Sequence, residues 1–174
     1  MKRTILGIDP GTGRLGWAVL EKNKEFRIMN KGEIQILDCG LIETKANTPL
    51  PDRLELIFDE LTKVIEKYSP DEMAIEELFF VKNVKTGISV AHARGVAMLA
   101  GKLGKMEIFE YKPNEIKLGI CGYGHADKKQ IAKMIELHIR GCKIEQDDTA
   151  DAVAVALYHL QVQKSYQGSA IRNQ

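Results

Sequence analysis

The chain has 174 residues, 44% of them hydrophobic and 28% charged, with a formal net charge of +1. That length suits one domain with a real core and is short for two large ones, and the composition is ordinary for a soluble globular protein. No apolar stretch approaches the ~20 residues of a bilayer span, and the apolar run after Lys2 and Arg3 is too short for a signal peptide.

Residues 3–9 and 15–21 predict a hairpin, with Pro10, Gly11 and Gly13 in its turn. Residues 33–43 predict a third strand. Residues 50–68 carry apolar side chains at 54, 57, 58, 61, 64, 65 and 68, which is helical spacing, and Pro70 stands just past the end. A short strand is expected over 72–77, a helix rich in Ala and Gly over 86–103, a strand over 106–111, and helices over 127–140 and 148–163. The last ten residues read as a flexible tail after a domain spanning 1–164. Three strands followed by helix, strand, helix, strand and two helices imply an α/β fold: a mixed sheet with helices on its faces.

Cys39, Cys121 and Cys142 are odd in number and scattered. They suit a reducing cytosol and suggest neither a disulfide framework nor a zinc site, so the expected location is cytoplasmic. Charge is uneven. Residues 82–140 carry 11 Lys/Arg against 5 Asp/Glu, whereas residues 1–81 carry 11 against 15. A basic middle third is what a nucleic-acid footprint gives, and also what a solvated helix surface gives.

The first strand ends oddly. Ile5, Leu6 and Ile8 read as core, yet Asp9 follows them. A buried carboxylate without a partner costs several kcal/mol. Either Asp9 turns outward or it holds something positive. Glu76 repeats the pattern after Met73, Ala74 and Ile75; with period-two alternation, Glu76 shares the face of Ala74 and Glu77 takes the other. If the helix between these strands is a crossover, Asp9 and Glu76 end adjacent parallel strands, where open α/β sheets build their sites. A third acidic group opens the final helix, in DDTADAVAVALYHL. Asp148 and Asp151 are three apart and share one helical face. One aspartate suffices for an N-cap; Asp151 lies beyond that position. Asp147 points elsewhere.

Carboxylates without a cysteine or histidine cluster indicate hard divalent cations, Mg²⁺ with Mn²⁺ as a substitute. Two carboxylates ~4 Å apart repel by about 1 kcal/mol in water and about 4 kcal/mol at an effective dielectric near 20, so four would need cations to converge. A pair of metal ions ~3.5–4 Å apart would serve phosphodiester hydrolysis. GIDPGTG also resembles the first phosphate-binding turn of actin-like ATPases and sugar kinases, but no second such turn follows. His92, His125, His138 and His159 lack ligand spacing with one another.

The segments GIDPGTGRLGWAV, AIEELFFVKN, AHARGVAML, FEYKPNEIK and DDTADAVAVALYH, in that order over residues 3–163, resemble bacterial Holliday junction resolvases of the RuvC family. The resemblance implies a ribonuclease-H-like, five-stranded mixed sheet with helices on both faces. It implies a homodimer that nicks four-way DNA junctions symmetrically during recombination and repair, working with a branch-migration motor. Asp9, Glu76, Asp148 and Asp151 fall on the family's acidic tetrad, the three-residue spacing to Asp151 choosing Asp148 over Asp147. Phe79 falls on a wedge that stacks on a base at the crossover; core packing is the alternative, which suits Phe80 better. Lys117 and Lys128 fall on basic positions beside the scissile phosphate. Lys82, Lys85, Arg94, Lys112 and Lys129 are expected as general phosphate contacts. Ala93, Ala97, Ala100 and Gly101 form a small-residue stripe that the resemblance turns into the dimer contact, the alternative being packing on the chain's own sheet. A shorter relative of the same fold, a ribosomal-RNA-processing nuclease, is the second reading.

Overall fold

The computed structural model describes residues 2–23, 33–78, 84–139 and 147–170; the side chains of 84–85, 147–148 and 163–170 lie outside that description. Among the described residues the order is β1 (Lys2–Asp9), β2 (Arg14–Asn23), β3 (Ile34–Glu43), α1 (Leu50–Tyr68), β4 (Glu72–Glu76), α2 (Val84–Leu103), β5 (Glu107–Tyr111), α3 (Pro113–Cys121), α4 (Lys128–His138) and α5 (Asp147–Ala170). The strands form one mixed sheet in the order β3-β2-β1-β4-β5. β1, β2 and β3 are antiparallel neighbours, while β4 and β5 run parallel to β1. The α1 crossover therefore does place β1 beside β4.

Each sheet face has its own core. Leu6, Ile8, Met73 and Ile75 pack against Ile57, Leu61 and Ile65 of α1 and Ala93, Ala97 and Ala100 of α2. Ile5, Ala18, Leu20 and Ala74 pack against α3, α4 and α5. α1 follows its 3.6-residue pattern to Tyr68, and Ser69, left-handed at φ 44°, caps it with an N–H bond to the Ile65 carbonyl at 2.8 Å. α5 is buried from Ala152 to Leu157 without a polar stripe, because sheet, α3 and α4 surround it.

Three sequence expectations change. α3 was not anticipated: it is short, with Pro113 in its first turn, Ile116 and Ile120 as its buried positions, and Gly122 at φ 81° stopping it. α5 continues to Ala170, past the expected boundary at 163. The small-residue stripe Ala93, Ala97 and Ala100 is fully buried inside this chain. Its small side chains let α2 approach its own sheet, so the stripe is not a dimer surface. The opposite face of α2 is the open one, with Ile88, Leu99 and Leu103 exposed by 56%, 53% and 63%. Among the described residues no helix is long and apolar enough to cross a membrane.

Candidate active site

Asp9 and Glu76 are the last residues of β1 and β4, each directly after the paired Ile8 and Ile75. Alternation puts both on the face of Gly7 and Ala74, beneath α5. Gly7 sets how close α5 comes. A Cβ there would lie 2.3 Å from the Ala152 carbonyl oxygen and 2.8 Å from the Ala156 Cβ. Only a residue without a side chain fits, and the close approach brings Asp151 down to the strand ends. Asp9, Glu76 and Asp151 then line one cavity of about 390 Å³ with Lys117 of α3, Lys128 of α4, Pro113, Ala126, Asp127 and Ile131. Asp127 was missed in the sequence. It caps α4, accepting from the Gln130 N–H at 2.9 Å, while the Gln130 side chain returns a bond to the Asp127 N–H. The D-x-x-Q spacing was the available signal.

The cavity is electrostatically unbalanced. Burial raises the Glu76 carboxyl, the charges of Asp9 and Asp151 raise it further, and Lys117 opposes them; the result is about 8 against an ordinary 4.5. Lys128 Nζ lies 3.3 Å from Asp151 Oδ2. Among the described residues, no three Asp, Glu, His or Cys side chains close into a ready-made metal cage. Asp148 occupies the first turn of α5, with its side chain outside the described part. The donors present are carboxylate oxygens, and a hard divalent cation would neutralise the negative charge of Asp9 and Asp151 that adds to the effect of burial on Glu76. The residues fit such an ion.

The remaining expected residues that are described do not line this cavity. Lys112 precedes α3, Lys129 lies in the first turn of α4, and both are exposed. Arg94 is engaged within the chain: its Nε donates to the Glu76 carbonyl at 3.1 Å and its guanidinium pairs with Glu110. It is therefore not free for the phosphate contact expected of it. Phe79, Lys82 and Phe80 lie outside the described residues, as does the side chain of Lys85. His92, His125 and His138 are exposed, and His159 is fully buried.

A family model described as crossover junction endodeoxyribonuclease RuvC matches residues 5–159. The chain belongs to the RuvC family. A protein of Roseiflexus sp. (strain RS-1) named crossover junction endodeoxyribonuclease RuvC is 46% identical over 158 residues, covering 90% of this chain and 89% of that protein. Its namesake in Brachyspira hyodysenteriae is 50% identical over 155 residues, covering 88% and 91%. In three dimensions the chain superposes on Thermus thermophilus RuvC in complex with Holliday junction substrate, with a TM-score of 0.83 at 26% identity over 94% of this chain and 96% of that one. The family match takes in β1 from Ile5 onward, the other four strands and both cavity lysines, and the ribonuclease-H-like sheet is that of the family.

Proposed function

We propose that the chain is a crossover junction endodeoxyribonuclease, hydrolysing phosphodiesters in four-way DNA junctions by symmetric paired nicks. The observation that carries this reading is the convergence of Asp9, Glu76, Asp151, Lys117 and Lys128 on one cavity at the carboxyl ends of β1 and β4. The family match supports it over a ribosomal-RNA-processing nuclease. In this reading residues 1–164 form one nuclease domain acting in the cytoplasm beside a branch-migration motor.

Asp9, Glu76, Asp148 and Asp151 would hold a pair of Mg²⁺ ions, for which Mn²⁺ substitutes. Bound there, such ions supply Lewis acidity at the phosphate and lower the pKa of water. The chain's own contribution is placement and charge. β1, β4 and α5 fix three carboxylates on a rigid frame. Lys117 and Lys128 bring ammonium groups to the same cavity for the non-bridging oxygens of the scissile phosphate. Lys112 and Lys129 extend the basic rim along the DNA backbone, Lys82 and Lys85 would join them, and Phe79 would stack on a base opened at the crossover. A twofold dimer suits a twofold junction, and the exposed stripe of Ile88, Leu99 and Leu103 is the apolar face available for it.

The test is incubation with a synthetic four-way junction and Mg²⁺, scored for symmetric nicks. Cleavage of the junction in preference to linear duplex is expected, and its absence over a range of junction sequences removes the proposal. Leu99→Asp is expected to yield monomers by sedimentation with uncoordinated nicking; an intact dimer would move the interface off α2.

A further inference from the structure

We infer that Arg94 is a positioning residue that supplies the backbone of Glu76 with the hydrogen-bond donor the sheet lacks there. The inference rests on the nuclease reading of the cavity and names what holds the backbone of Glu76 in place.

The argument starts with one peptide unit. The Glu77 N–H donates to the Tyr111 carbonyl of β5 at 2.8 Å. The described peptide bonds are trans, so the Glu76 C=O of the same planar unit points away from β5. On that side is β1, whose pairing with β4 ends at Ile8 and Ile75. After Asp9 the chain continues with Pro10, which has no N–H to offer. A carbonyl at this depth needs a donor, and Arg94 Nε fills the place at 3.1 Å. Arg94 is itself held. Its other guanidinium arm pairs with Glu110 of β5, and its side chain is only 17% exposed.

The two bonds fix the Glu76–Glu77 peptide from both sides, immediately behind the Glu76 side chain. The effect is geometric. Burial, Asp9, Asp151 and Lys117 shift the Glu76 carboxyl; the clamp acts on its backbone. The helix that packs its small face on the sheet thus also sets the backbone of an active-site carboxylate. A guanidinium can span both partners because its donors lie in a fixed fork; an ammonium on a flexible stem cannot.

The contrast with a phosphate contact is experimental. Arg94→Lys keeps the charge and would keep a phosphate contact, but it breaks the two-point clamp. Wild type, Arg94→Lys, Arg94→Gln and Glu110→Gln are compared in three measurements: single-turnover cleavage of a saturating four-way junction with Mg²⁺, junction affinity at several salt concentrations, and amide exchange of the peptide containing Glu77. Misplacement of a reacting group by about 1 Å can cost roughly a hundredfold, so Arg94→Lys is expected to slow cleavage about tenfold or more. Its affinity and salt slope should match wild type, and exchange at Glu77 should be faster. Glu110→Gln should shift cleavage and exchange the same way, less strongly, without weakening binding, although it removes an exposed negative charge.

The inference is overturned by Arg94→Lys with wild-type cleavage and wild-type Glu77 exchange. It is equally overturned if Arg94→Gln loses affinity and salt slope while its Glu77 exchange is unchanged, which is the signature of a phosphate contact. Wild-type protein that cuts no junction removes the nuclease reading alone, because amide exchange still reads the clamp. If Arg94 variants fail to fold, Glu110→Gln carries the same comparison.

Discussion

Glu72 and Glu76 are the same residue type, four apart in β4, on the same face and both partly buried beneath α5. Their carboxyls shift in opposite directions. Burial pushes Glu72 up, but hydrogen bonds from Arg3 and His159 and the charge of Arg3 outweigh it and hold the carboxyl below its ordinary value. Arg3 reaches Glu72 Oε1 through Nε at 3.0 Å and Nη2 at 2.6 Å. His159 is fully buried, and burial keeps it below its ordinary value despite Glu72. A neutral imidazole satisfies every partner: Nε2–H donates to Glu72, and Nδ1 accepts from the Tyr111 hydroxyl at 2.7 Å. Glu76 is raised first by burial and then by Asp9 and Asp151, to about 8. At the amino end of the strand the fold provides internal counter-charge. At the carboxyl end it gathers Asp9, Glu76 and Asp151 against Lys117 and Lys128, and those two cations do not bring Glu76 back to its ordinary value.

The largest effect should come from the unbalanced end. Asp9→Asn, Glu76→Gln, Asp148→Asn and Asp151→Asn are each expected to abolish cleavage in Mg²⁺ while leaving junction binding largely intact. Gel-shift and nicking assays on one preparation separate the two. Near-normal cleavage by any variant removes that residue from the site.

Next is the element that links the two ends. Gly7 admits α5, and Gly7→Ala sets a methyl group within 2.3 Å of a backbone oxygen. Overpacking at such a point costs about 3 kcal/mol, or roughly 6–12 °C in melting temperature for a domain of this size. A melting point within a degree or two of wild type would mean that α5 can lift without loss.

The balanced end should then respond with a sign opposite to the unbalanced one. Glu72→Gln leaves Arg3 without its counter-charge. The expected loss is about 2 kcal/mol, less than for a fully buried pair because Arg3 is partly solvated. Glu76→Gln in chelator should gain stability. Urea midpoints for the two variants test the contrast directly; two losses of equal size would mean that both carboxylates are structural.

The legibility of these features in the sequence differed by cause. The strands and α1 follow simple periods, so Asp9 and Glu76 stood out as acids where the pattern demanded core. Asp151 was visible because a cap needs only one aspartate. α3 was hidden because nine residues give only two buried positions, Ile116 and Ile120. The Ala93, Ala97, Ala100 stripe announced close packing but not the partner, since a small residue is equally suited to a sheet below or a second chain beside it. In the sequence Arg94 is one cation among those expected to meet phosphate, because one of its partners is a carbonyl, which leaves no mark in a sequence, and the other, Glu110, lies on a strand whose place beside α2 the sequence does not show. The only trace was Pro10, whose missing N–H matters only once β1 and β4 are known to be neighbours.

The smallest effect tests the cause of the imbalance. In chelator, Glu76 has a folded value of about 8 against 4.5 unfolded. Between those values the native state holds a proton that the unfolded state has released, so stability falls as pH rises through the window and levels off above about 8. Glu72, depressed in the folded state, works the other way, adding stability above its unfolded value that is lost as pH falls through its folded one. Near pH 5 the proton on Glu76 already relieves its repulsion with Asp9. Above pH 8 that proton is gone and Lys117 only partly opposes the repulsion. Asp9→Asn should therefore match wild type closely near pH 5 and exceed it above pH 8 by on the order of 1 kcal/mol, roughly 2–4 °C. Burial is the first cause of the Glu76 shift and survives the substitution, so the mutant's decline with pH should be shallower and not absent. Mg²⁺ should raise the wild-type melting point more than the mutant's, because the ion binds only the folded site. Melting curves from pH 5 to 9, in chelator and in Mg²⁺, measure all of this. An Asp9→Asn protein that melts below wild type above pH 8 would make Asp9 a structural hydrogen-bonding group like Glu72, and the two ends of β4 would no longer differ in kind.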